Sequence, residues 1–175
     1  MSQKLTLAVG PRDHVLGPDD APVTLVEYGD YECPHCGLAY GIVKAVQEAA
    51  GPKLRFVFRN FPLRESHPHA EAAAESAEAA AVQGKFWEMH DVLFENQTAL
   101  GLESMAHYAR AIGIDVTRFK ADLHAHAFAN RVQEDFISGA QSGVNGTPTF
   151  FINGHRHEGS FDPDTLLAAI EAAAQ

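Results

Sequence analysis

Cys33 and Cys36 are the only cysteines among 175 residues, and they stand three apart as Cys33-Pro34-His35-Cys36. A thiol pair at that spacing can open and close a short disulfide loop when it lies on one face of a starting helix, with little backbone movement. Pro34 suits the first helical position, because its missing N–H would have had no partner there. A helix start also offers unpaired N–H groups and the positive end of the macrodipole, both of which favour thiolate over thiol. Cys33 should therefore ionise well below the free-thiol value, in the range of roughly 3.5 to 7.5 seen at such sites, with His35 adding to the effect if it is charged or donating. Cys36, one turn further in, is the less exposed sulfur and suits attack on a mixed disulfide. Zinc is the competing chemistry, but structural zinc takes four ligands, and the sequence has no second pair of this kind. An inert buried pair is a further alternative. No metal and no cofactor are expected.

The elements that would hold this pair follow from periodicity and punctuation. Val23 to Tyr28 is a short β-branched run bounded by Ala21-Pro22 and Gly29-Asp30, which predicts a buried central strand ending just before the cysteines. Pro34 to Ala50 has helical spacing and stops at Gly51-Pro52, and Leu54 to Arg59 reads as a second strand closed by Phe61-Pro62. Strand, helix and strand in this order predict a parallel pair with a right-handed crossover.

From Ser66 to about Ser142 the sequence turns to alanine, glutamate and histidine and reads as a helical block. Its first helix is capped by Ser66, carries Pro68 in its first turn, runs through Ala70 to Ala81 and stops at Gly84. Further helices follow on Phe86 to Phe94, Leu102 to Ala109, Val116 to Leu123, and Phe128 to Phe136. A strand then returns at Thr149 to Ile152, turns at Asn153-Gly154 and continues over His155 to Glu158, and Asp162 with Pro163 opens a last helix. The fold class is thus α/β, ordered βαβ, helical insertion, ββα, in one compact chain. Its expected parts are residues 1–65, an insertion over 66–127, and a C-terminal part over 128–175.

Thirteen basic against twenty-three acidic residues give a formal charge of −10, which opposes nucleic acid and anionic membrane as partners. The Met1 to Gly10 stretch lacks the apolar length and cleavage pattern of an export signal, so the expected location is the cytoplasm, or the periplasm or another extracytoplasmic space if a leader has been removed.

Three segments carry a family resemblance. Glu27-Tyr28-Gly29-Asp30-Tyr31-Glu32-Cys33-Pro34-His35-Cys36 resembles the active-site segment of the DsbA-like thiol:disulfide oxidoreductases. Lys85-Phe86-Trp87-Glu88-Met89-His90-Asp91 resembles part of that family's helical insertion, and Gly146-Thr147-Pro148-Thr149-Phe150-Phe151-Ile152-Asn153-Gly154 is similar to its cis-proline loop and hairpin. The similarity runs from Asp13 to Gln175 and implies a thioredoxin fold with helices inserted after the second central strand. It further implies a cis bond before Pro148, with the backbone of Thr147 beside Cys33 and open to an extended substrate strand. It places Glu27 at the family's buried acid, which moves protons to and from Cys36; a partly exposed glutamate at the strand end is the plain alternative.

The resemblance implies an enzyme exchanging disulfides with protein or peptide thiols and with a redox partner; the oxidising or reducing direction and the oligomeric state stay open. A peptide-binding or chaperone module with a redox-sensing pair, or a glutathione-linked transferase or isomerase, are the other function classes. His67 and His69, His124 and His126, and His155 and His157 are spaced like metal-ligand pairs, but residues two apart on a helix do not share a face, and the last pair reads as an exposed hairpin. Phe86, Trp87, Phe94, Phe150 and Phe151 read as core.

Overall fold

The computed structural model describes residues 4–175; residues 1–3, the start of both the 1–65 part and the Met1–Gly10 stretch, lie outside the described residues. Five strands form one mixed sheet in the order β1-β3-β2-β4-β5, from β1 (His14–Leu16), β2 (Val23–Gly29), β3 (Leu54–Asn60), β4 (Thr149–Ile152) and β5 (His155–Arg156). β2 and β3 run parallel and are joined by α1 (Pro34–Ala50), the crossover unit expected from the sequence, while β1, β4 and β5 each run antiparallel to a neighbour. This is the α/β thioredoxin-like fold with inserted helices, α2 (Ala70–Ala81), α3 (Phe86–Glu95), α4 (Leu102–Ala111) and α5 (Val116–His124), followed by α6 (Ala129–Gln141) and, after the hairpin, α7 (Pro163–Ala173). No helix among the described residues is long and apolar enough to cross a membrane.

Strand alternation decides what faces the cysteines. Val23, Leu25, Phe56, Phe58, Phe150 and Ile152 belong to the larger core, shared with α1, α3 and α7. Val26, Tyr28, Val57 and Phe151 belong to a second core, packed by Phe136 of α6 and by Leu5 and Val9 of the N-terminal segment. Glu27 has the parity of Leu25 and therefore points into the α1 side. Arg59 has the parity of Val57 and is buried on the other side, where Asp13 neutralises it through two bonds of 2.8 and 3.0 Å.

Three local readings are corrected. β1 was not expected: it is three residues long, too short for a period to show, and exists because it pairs with Phe56, Val57 and Phe58. Ser66 is not the cap of the first inserted helix. The backbone N–H groups of Ser66 and His67 both bond to Leu63 O, so the chain makes a turn there, and α2 begins only at Ala70 with His69 before it. The Asn153-Gly154 turn does form, with φ of 47° and 80°, as a two-residue hairpin of mirror-image type requires. The strand after it is shorter than the expected run to Glu158 and stops at Arg156.

Candidate active site

Cys33 is the N-cap of α1, extended at φ −71° and ψ 123°, with Pro34 in the first turn, and no side chain caps the helix. Its sulfur therefore stands where the opening N–H groups converge. Both cysteines are free thiols and both are buried, Cys33 4% exposed and Cys36 fully enclosed. The Cys33 thiol is pulled down to about 5, first by a hydrogen bond from Cys36, against the opposing cost of burial, then by Thr147 and by the backbone N–H groups of Cys36 and His35. Cys36 moves the other way. Burial raises it far above an ordinary thiol, the bond to Cys33 and the charge of Glu27 raise it further, and Asp30 N donates to its sulfur at 3.4 Å. One sulfur is an anion at neutral pH and its neighbour holds its proton.

The structure brings the expected site residues together around this pair. Thr147–Pro148 is cis, and the Thr147 carbonyl lies 3.6 Å from Cys33 Sγ. Thr147 Oγ1 is buried with no hydrogen-bond partner among the described residues, which leaves its hydroxyl available to the sulfur. Pro34 and His35 are exposed, and His35 supports the sulfur through its backbone N–H.

Glu27 is 2% exposed, so the reading of a partly exposed strand-end glutamate does not hold. It sits between Phe58 of β3 and Phe150 of β4, and its Oε1 has no hydrogen-bond partner. Burial, followed by repulsion from Cys33, pushes its carboxyl up to about 8. It also lines a cleft of about 320 Å³ with Tyr40, Lys44, Trp87, His90 and Asp91.

Two residues that position the site were not singled out from the sequence. Asp30 has a fully buried carboxylate that accepts from Glu32 N at 2.8 Å and Cys33 N at 3.2 Å through one oxygen, and from Leu63 N and His67 Nδ1, both at 2.8 Å, through the other. An aspartate at a strand end, two and three residues before those donors, is an Asx-turn signal that could have pointed to it. Gln97, just past α3, donates to the carbonyls of Tyr31 and Cys33, each at 2.9 Å, and locks the same turn from the insertion side. Nothing local in the sequence marks Gln97. The histidine pairs resolve differently from one another. His67 and His69 precede α2 and bond to Asp30 and Glu32, whereas His126, just past α5, reaches Glu75 at 3.1 Å. Phe86, Phe94, Phe150 and Phe151 are buried in the core, with Trp87 packed against it.

The thioredoxin family profile matches residues 10–172. The chain superposes on the crystal structure of oxidised BdbD from Bacillus subtilis with a TM-score of 0.83, at 28% identity over 91% of each chain. It matches a thioredoxin-like oxidoreductase from Silicibacter pomeroyi with a TM-score of 0.82, at 29% identity over 94% of this chain and 93% of that one. Among curated proteins, 97% of the chain is 46% identical to part of the Na(+)/H(+) antiporter NhaA 1 of Salinispora arenicola. It covers 26% of that protein, and it spans about a quarter of the curated relatives it matches. With a helix-capping thiolate, a buried partner thiol and a cis-proline loop against them, the chain belongs to the DsbA-like branch of the thioredoxin family.

Proposed function

We propose that the chain is a thiol:disulfide oxidoreductase that works as an oxidant, handing the Cys33–Cys36 disulfide to protein or peptide dithiols. The observation carrying this reading is the split between the two thiols, Cys33 lowered to about 5 and Cys36 raised. A substrate thiolate attacks Cys33 Sγ, the Cys33–Cys36 bond breaks, and Cys36 leaves with the electron pair and takes up a proton. The second substrate thiolate then attacks the substrate sulfur of the mixed disulfide and expels Cys33 as a stable thiolate, so two electrons pass from substrate to enzyme. A disulfide-bearing redox partner must accept those electrons to restore the pair.

Five neighbouring residues serve these steps. Thr147 and Pro148 offer main chain beside Cys33, where an extended peptide can pair without its side chains being read. Glu27, protonated below about 8 and interacting in charge with both sulfurs, supplies the proton that the buried Cys36 needs. Pro34 and His35 form the exposed rim that a substrate meets first.

An oxidising pair persists only in an oxidising compartment, so this direction goes with a periplasmic or other extracytoplasmic site, whereas a cytoplasmic location goes with a reductase. The reduction potential, measured by equilibration with glutathione, tests the direction. A value above about −200 mV, toward the −120 mV of strong oxidants, is expected; one near the −270 mV of thioredoxin would overturn the oxidant reading.

A further inference from the structure

Asp30 poses an electrostatic problem. A buried carboxylate bonded to Cys33 N places negative charge at the helix start that is to hold a thiolate, and two anions so placed oppose each other. The groups facing that carboxylate are the N–H groups of Glu32, Cys33 and Leu63, and one side chain, the imidazole of His67. His67 comes from the turn before α2, 37 positions away in sequence, and its Nδ1 lies 2.8 Å from Asp30 Oδ2. The neighbouring His69 repeats the pattern, giving Nδ1 and its backbone N–H to Glu32 at 2.8 and 2.6 Å. Two acids of the active-site turn are thus strapped to two histidines of one short segment.

We propose that His67 is a positioning residue of the redox site: as an imidazolium it neutralises Asp30, so that the carboxylate can fix the start of α1 without working against the Cys33 anion. This rests on the oxidoreductase reading and adds to it a residue that touches neither sulfur.

The charged and titratable groups acting on His67 are Asp30, Cys33 and Glu32, all acidic. Against the cost of partial burial, the Asp30 bond and charge, then Cys33 and Glu32, hold its proton above the ordinary histidine value. The interaction is reciprocal. A cation whose proton is held more tightly when Cys33 is ionised must itself favour that ionisation by the same amount.

His67→Gln separates this role from packing, because the position is partly exposed and the amide can still donate to Asp30. The measurements, made on the 175-residue chain, are the ultraviolet titration of the Cys33 thiolate in the reduced protein and the glutathione equilibrium of the pair. We expect the Cys33 midpoint to rise by about one unit and the equilibrium to shift roughly tenfold toward the disulfide, one pKa unit being a factor of ten. The double change His67→Gln with Asp30→Asn should bring the midpoint back down, since the uncompensated charge is then gone. If His67→Gln titrates like the parent, or the double change leaves the midpoint as high as in His67→Gln alone, the proposal fails. A parent chain whose Cys33 ionises only in alkali would instead overturn the oxidoreductase reading itself, so the two failures are distinguishable.

Discussion

Incubated with a disulfide-bonded protein, the Cys36→Ala chain is expected to accumulate as a covalent complex through Cys33, stable in denaturant and released by a small reducing thiol. The expectation follows from the division of labour between the sulfurs. Cys33 is the low-pKa sulfur and stands at the helix cap beside the exposed Pro34 and His35, so it still attacks; Cys36, enclosed and protonated, is the group that would have resolved the adduct. A resolving group built into the same turn acts at an effective concentration of ~10⁵ M or more, and its loss should slow release by at least about a thousandfold. Cys33→Ala should form no adduct and show only background exchange. Non-reducing electrophoresis with mass spectrometry of the linked peptide checks both outcomes. An adduct linked through Cys36 in the Cys33→Ala chain would reverse the assigned roles.

The second large effect concerns Glu27. In the unfolded chain this carboxyl titrates near 4.5, but in the fold it keeps its proton up to about 8, because burial between two phenylalanines penalises the charge. Between those values the folded state binds more protons than the unfolded one. The stability tied to this group is therefore fully present below about 4.5, declines as pH rises, and is lost once pH passes 8. Glu27→Leu is expected to remove that slope and to be more stable than the parent by a few kcal/mol at pH 8, with the difference shrinking toward pH 4.5. The same change should cost catalysis: removing a positioned proton donor from the Cys36 step should lower turnover by roughly 10²-fold, the lower end of general acid–base contributions. Urea unfolding as a function of pH reads the first effect, and stopped-flow exchange with a dithiol peptide reads the second. A chain that gains stability without losing rate would leave Glu27 as a buried acid with no part in the chemistry.

The sequence made legible whatever was periodic or punctuated within one element. β2, α1 and β3 showed through the β-branched run, the Gly51-Pro52 stop and the Leu54–Arg59 pattern, and the hairpin showed through Asn153-Gly154. The cysteines could be placed at the start of α1 because Pro34 follows a strand end. Features made by pairing across long separations stayed hidden. β1 exists through its match to β3, some 40 residues on, and its three residues carry no signal alone. Asp30 and His67 meet because the turn between β3 and α2 folds back over the active-site loop; the Asx-turn position of Asp30 is a local signal, but nothing local marks His67 as its partner. The same turn explains why Ser66 does not cap α2: the chain closes on Leu63 O over Ser66 and His67, and the helix begins only at Ala70, out of reach of Ser66 as its cap. Glu27 falls between these cases. The family resemblance named it, but its environment is set by strand parity and by the register that places Phe58 and Phe150 beside it.

All of the proposed chemistry needs a Cys33 sulfur that is charged at neutral pH because a helix start and its neighbours hold it so. Titrating the reduced protein by ultraviolet absorbance, with Cys36→Ala as the single-thiol reference, measures that charge directly. In the native chain Cys33 is expected to lose its proton at about 5, with Cys36 still protonated throughout the neutral range, and the reference, lacking the Cys36 hydrogen bond, is expected to titrate higher. A native midpoint near ~8.5, that of a free thiol, would contradict it.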